Sequence, residues 1–149
     1  DLYDAPANLF VAGFVGAPAM NLMEGTIVQD GDALSFDSGD GTLLPLPAAR
    51  FRGLQEKAGS EAVLGIRPED IEDSGFAGEG PMKAYLDGIV EVVEPMGSET
   101  MLYISMRRGR QIVAKVDPGT KAAFGKSISL VADLSKAHLF DKSTGLSLR

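Results

Sequence analysis

The chain has 149 residues, with 14 lysines and arginines against 21 aspartates and glutamates, a formal net charge of −7. A chain of this length forms one domain or two small ones and can bury most of its apolar surface unaided, and a hydrophobic fraction of 44 % argues against disorder. The absence of cysteine excludes disulfides, thiolate metal sites and cysteine nucleophiles, while the negative balance argues against binding a polyanion, whose affinity rests on Lys and Arg neutralising phosphates.

The longest apolar run, Leu9–Met20, spans twelve residues and is interrupted by Gly13, Gly16 and Pro18. A bilayer span needs about twenty apolar residues, so no transmembrane helix is expected. The sequence opens at Asp1 without an initiator methionine or the basic start of a signal peptide, and reads as a piece of a longer chain.

One segment carries a helical period. Phe10, Val11, Phe14 and Val15 fall on one helix face. Pro6 suits a first turn, Gly16 a left-handed C-terminal position, and Pro18 follows as a stop. The spacing predicts a short helix over Pro6–Val15, within a linker spanning 1–19.

Beyond Met20 the pattern changes to short β-type runs between turn residues. The predicted strands are Asn21–Gln29, Ala33–Phe36, Thr42–Leu46, Ala62–Ile66, Lys83–Glu94, Glu99–Met106, Gln111–Val116 and Ser127–Asp133. Asp30-Gly31, Ser38–Gly41, Pro95–Gly97, Arg108-Gly109 and Pro118-Gly119 supply the special φ values that tight turns need. Many short strands at this spacing predict a small barrel or sandwich. The stretch Ser74–Pro81, with three glycines and a proline, is expected to divide the β region into halves 20–73 and 82–149.

Few motifs suggest chemistry. Gly119–Ser127 reads GTKAAFGKS and imitates a phosphate-binding P-loop, G-x-x-x-x-G-K-[ST]. However, five residues rather than four separate Gly119 from Gly125, and a strand-like run follows where the P-loop opens into a helix. A plain turn is expected there. His138 is the only histidine and lacks the spaced partners of a metal or catalytic site, so it is read as a packing or capping residue. The adjacent acids Glu69-Asp70 and Glu72-Asp73 should point to different sides of an extended chain rather than share a catalytic site. No serine sits in a G-x-S-x-G elbow. Arg107-Arg108-Gly109-Arg110 is read as a solvated hairpin tip.

Four ordered stretches resemble the maltose-type (MalK-like) ATPase subunits of carbohydrate ABC importers: Leu2–Asn21, Leu64–Ile71 (LGIRPEDI), Val92–Thr100 (VVEPMGSET) and His138–Gly145 (HLFDKSTG). The resemblance covers nearly the whole chain. It implies an all-β fold, an OB-like small β-barrel with a TOBE-type segment over 20–149, preceded by one short N-terminal helix that links it to a nucleotide-binding domain. The residues carrying the motifs are Phe14, Gly16, Met20, Asn21, Arg67, Pro68, Glu69, Glu94, Gly97, Glu99, His138, Phe140 and Asp141; the resemblance implies structural or interaction roles for them.

The same resemblance implies a non-catalytic regulatory and dimerisation domain. The P-loop, the LSGGQ-type signature and the catalytic glutamate are not in this sequence. No cofactor is expected here, and ATP and Mg would belong to the missing nucleotide-binding domain. The implied partners are a second copy of the chain, its own nucleotide-binding domain, membrane-spanning permease subunits and, in some members, a regulatory protein, with no nucleic acid. The implied location is the cytoplasmic face of the inner membrane, peripheral through the parent complex. A second function class stays open: a small-ligand module sensing an oxyanion, as in related molybdate and sulfate importers. Ser98, Thr100 and Lys115 are its candidate donors.

Overall fold

The computed structural model describes Asn8, residues 19–80 and residues 82–148. The helix expected over Pro6–Val15, with Phe14 and Gly16, lies outside the described residues. Among the described residues, ten strands form two five-stranded antiparallel sheets. They belong to two compact units, residues 1–66 with 134–149, and residues 67–133.

The first unit contains β1 (Asn21–Asp30), β2 (Ala33–Asp37), β3 (Leu43–Leu46), β4 (Glu61–Ile66) and β10 (His138–Asp141), in the order β10-β4-β1-β2-β3. Alternation sets the faces: Leu34 and Phe36 on β2 and Leu44 and Leu46 on β3 are buried, whereas their strand neighbours are less so. Strand β4 is the exception. Its residues Ala62 to Ile66 are all buried, so both of its faces are covered, and it is paired on both edges, with β1 and with β10. The β1–β2 hairpin closes through Gly31-Asp32 between the paired Asp30 and Ala33. Gly31 has φ +63°, the positive value that a two-residue primed turn needs at its first central position.

The second unit contains β5 (Ile71–Asp73), β6 (Lys83–Pro95), β7 (Thr100–Ser105), β8 (Gln111–Val116) and β9 (Ser127–Asp133), in the order β5-β9-β6-β7-β8. This sheet curls into a half-barrel whose edge strands β5 and β8 approach one another, with the turn Pro68–Asp70 packed at β8. Side chains tie that closure. Glu72 Oε1 accepts from Asp117 N at 2.9 Å, and Thr120 Oγ1 donates to Asp73 Oδ2 at 2.6 Å. A β-bulge shifts the register of β6 against β7 between Val90 and Val92. It turns Val90 inward and leaves Val92 46 % exposed.

The eight predicted strands correspond to β1–β4 and β6–β9. The sequence reading missed β5 and β10, which have three and four residues and show no alternation of their own. The two units also differ from the expected halves 20–73 and 82–149. Residues 74–80 lie inside the second unit, and β10, from the end of the chain, pairs with β4 in the first.

Close cross-strand packing rests on two strand glycines. A β-carbon on Gly25 would collide with Asp37 O and the Phe36 ring; one on Gly88 would lie 2.5 Å from Ile104 Cγ2 and 2.7 Å from Ser105 O. Neither glycine has positive φ, so the obstacle is space, not backbone strain. Gly25→Ala and Gly88→Ala are each expected to destabilise the protein by about 1–3 kcal/mol through overpacking. Urea denaturation reads this directly, and an unchanged midpoint would show that the neighbours yield.

Candidate functional site

The motif residues gather in three places, one in the first unit and two in the second. In the first unit, Met20 precedes β1 and packs with Val63 and Phe140 in one buried cluster. The absence of a side chain on Gly65 makes this contact possible: a β-carbon there would meet Met20 Sδ and the Phe140 ring. Asn21 opens β1 opposite Ile66, and is itself buried. On β10, His138 lies opposite Gly65 and Phe140 opposite Val63. The His138 and Phe140 rings stack at 6.5 Å between centroids.

Arg50 was not singled out from sequence, yet it anchors this place. Its Nε donates to Ala137 O, and its Nη2 lies 3.4 Å from His138 Nδ1. His138 is 4 % exposed, in keeping with the packing role read from the sequence. No motif marks Arg50, and these two contacts span 87 and 88 residues.

Asp141 ends β10 and organises the turn that follows. Its Oδ1 accepts from Ser143 Oγ at 2.7 Å, Ser143 N at 2.9 Å and Thr144 N at 3.0 Å. Gly145, with φ +75°, donates to Asp141 O at 2.7 Å. The Ser143 hydroxyl, then the Thr144 amide, hold the Asp141 carboxyl below the ordinary aspartate value. This motif is a turn-building device; Phe140 then bridges to Ser147 as the chain folds back.

In the second unit, Pro68 fills the first position of a short turn after Arg67, and Asp70 N donates to Arg67 O at 2.9 Å. Arg67 and Pro68 are buried. This turn aims the chain into β5. Glu94, Gly97 and Glu99 sit on the β6–β7 hairpin, where Met96 N donates to Glu99 O at 2.8 Å and Gly97 has φ +94°. Glu94 is exposed and Glu99 half-buried.

The local geometry rules against the two chemical lures. Gly125 N donates to Val90 O at 2.8 Å, Lys126 N donates to Ala123 O, and Lys126 O accepts from Val90 N. Ser127 then begins β9 rather than a helix. The amides that a phosphate would need are committed to the sheet and its turn. The oxyanion candidates also fail to converge. Thr100 pairs with Val116 and Lys115 with Met101, so these side chains emerge on opposite faces of the sheet. Among the described residues, no group of three or more His, Asp or Glu side chains could hold a metal ion.

Residues 64–140 match the TOBE domain family, and residues 16–71 match the MalK OB fold domain. The chain belongs to the TOBE-domain family. The TOBE match covers the turn Pro68–Asp70, the whole half-barrel and β10 as far as Phe140. The trehalose/maltose import ATP-binding protein MalK of Thermococcus litoralis is 37 % identical over 155 residues, covering 99 % of this chain and 39 % of that protein. The multiple sugar-binding transport ATP-binding protein MsmK of Streptococcus mutans is 38 % identical over 151 residues, covering 100 % of this chain and 39 % of that protein. The alpha-glucoside transport ATP-binding protein AglK of Rhizobium meliloti is 36 % identical, again over 100 % of this chain and 39 % of its own length. The TOBE chain thus spans about two fifths of these relatives. Among solved structures, the cytoplasmic molybdate-binding protein ModG, with molybdate bound, superposes with a TM-score of 0.63 at 22 % identity, over 80 % of this chain and 94 % of that one. At that identity the likeness speaks for a shared fold.

Two outcomes follow for the motifs. The hydrogen-bonded Asp141 has a lowered pKa in the folded state, so its stabilisation is present above the unfolded value, about 3.9, and fades as pH falls through the lower folded value. Asp141→Ala should therefore melt below the parent at neutral pH, with the gap closing in acid; a gap constant with pH would exclude the ionised turn. For Gly119–Ser127, equilibrium dialysis with ATP and magnesium should find no saturable site in the micromolar range, and finding one would overturn the plain-turn reading.

Proposed function

We propose that the chain is the non-catalytic regulatory and dimerisation domain of the ATP-binding subunit of a sugar-type ABC importer. The observation that carries this is coverage: a MalK OB fold match and a TOBE match run in order from residue 16 to residue 140. The sugar-import ATP-binding proteins named above align with nearly all of the chain. The motif residues support the reading by what they do. Met20, His138, Phe140 and Asp141 build one sheet edge and its turn, while Glu94, Gly97 and Glu99 shape an exposed hairpin suited to contacts rather than catalysis.

In the parent subunit, residues 1–19 would link this domain to the nucleotide-binding domain, where ATP and Mg would bind. The transported cargo would be an oligosaccharide or glycerol phosphate. The complex would sit at the cytoplasmic face of the inner membrane, held there by permease subunits, with a regulatory protein as a further partner in some systems. The oxyanion-sensing alternative loses its support where Thr100 and Lys115 diverge.

Self-pairing is the testable core of the proposal. Two-fold pairing needs only one self-complementary patch. Against it, two copies at −7 each repel, and physiological salt screens this over about 8–10 Å. In the parent, the other subunits would hold two copies close and raise their effective concentration. Sedimentation equilibrium of the chain alone should therefore detect a dimer with a dissociation constant in the micromolar range or weaker, strengthening as salt rises. A monomer at millimolar concentration in high salt would remove self-pairing from the proposal.

A further inference from the structure

The connection between β7 and β8 carries three of the chain's seven arginines, Arg107, Arg108 and Arg110. Arg107 and Arg108 are exposed and Arg110 is half-buried. Met106 N donates to Arg110 O at 2.6 Å, which closes the hairpin, and Arg108 and Gly109 are the central residues at its tip. Both have positive φ, +64° for Arg108 and +70° for Gly109. They are the central positions of a primed turn over Arg107–Arg110, within a loop of three residues between Met106 and Arg110, and a φ of this sign at the first of them favours Asn, Asp or Gly. Arg108 is the one residue other than glycine with positive φ among the described residues. A β-carbon is disfavoured in that conformation, so the turn would form more readily with glycine, or with asparagine, whose short polar side chain hydrogen-bonds locally.

Among the described residues, Arg107 and Arg108 make no side-chain hydrogen bond or ion pair. Glu91 Oε1, a carboxylate on the neighbouring strand, accepts from Gln111 Nε2 at 3.2 Å instead. We propose that this tip is a docking element for an acidic segment of a partner protein, with Arg107 and Arg108 as its two guanidinium forks. The planar guanidinium matches a carboxylate in bidentate geometry, as a lysine does not. The partner's dimensions follow from charge. The basic tip is four residues long on a chain of net charge −7. A nucleic-acid backbone or an anionic bilayer would bring far more negative charge against the rest of the chain than the tip can offset. A short acidic segment meets the arginines alone, within the range that salt leaves unscreened.

The test titrates hexaglutamate into the isotopically labelled 149-residue chain and follows amide and arginine side-chain resonances. Saturable shifts are expected at residues 106–111 and should weaken as salt rises. The double variant Arg107→Ala/Arg108→Ala should weaken the apparent affinity about fivefold, the combined effect of two exposed ion pairs. Arg108→Asn adds a distinct readout. Asparagine suits the turn, so this variant should raise the thermal midpoint while it weakens binding. The proposal fails if the tip does not respond, if the double variant binds as the parent does, or if Arg108→Asn lowers the midpoint, which would give the arginine a structural purpose. A stronger response to phosphatidylserine vesicles or to oligothymidine than to hexaglutamate would equally overturn it.

Discussion

The first unit depends on filling the second edge of β4. Residues Ala62 to Ile66 are buried, and a buried strand edge cannot leave its amides and carbonyls without partners. One edge is taken by β1; the other is taken by β10. Between β4 and β10 the chain makes an entire second sheet. The pairing of Gly65 with His138 is therefore where the end of the chain completes the first sheet. The small residue at 65 admits Met20 and Phe140 over it, so the same position serves both the ladder and the core.

That constraint explains why sequence motifs far apart in the chain have related duties. The Leu64–Ile71 stretch contributes the strand that needs an edge and then the Pro68 turn that directs the chain into β5. The His138–Gly145 stretch contributes the missing edge and the Asp141 turn that ends it. Arg50 fastens the start of that edge through Ala137 O. Carboxylates that could have suggested catalysis are spent in the same way. Glu72 and Asp73 secure the loop after β8 to β5.

Much of this was legible in the sequence, and the limits have physical causes. Where apolar residues alternate, as in Leu34–Phe36 or Ile112–Ala114–Val116, one buried face per strand made the assignment readable. The turns were readable because glycine at positions such as 31 and 97 supplies a φ that other residues avoid. Strands β5 and β10 were hidden because Ile71–Asp73 has only three residues and His138–Asp141 is buried at three positions in a row instead of alternating, and both owe their state to distant partners. The boundary between the units was hidden for the same reason. Glycine-rich composition marks where a chain turns, and residues 74–80 do turn, but composition carries no record of which strand the end of the chain will join. The motif residues were found through resemblance; Arg50 belongs to no motif, and its contacts with Ala137 and His138 span 87 and 88 residues.

The insertion of residues 67–133 between two paired neighbours sets an order of assembly. During synthesis from the N-terminus, β1 to β4 emerge first and cannot complete their sheet. The second unit, whose strands follow one another within residues 71–133, has all its partners while the first still waits for residues 138–141. The part made first is thus finished last, and its exposed β4 edge is the segment most in need of protection on the ribosome. A nascent chain halted just short of β10 would carry a closed second unit and an open first one.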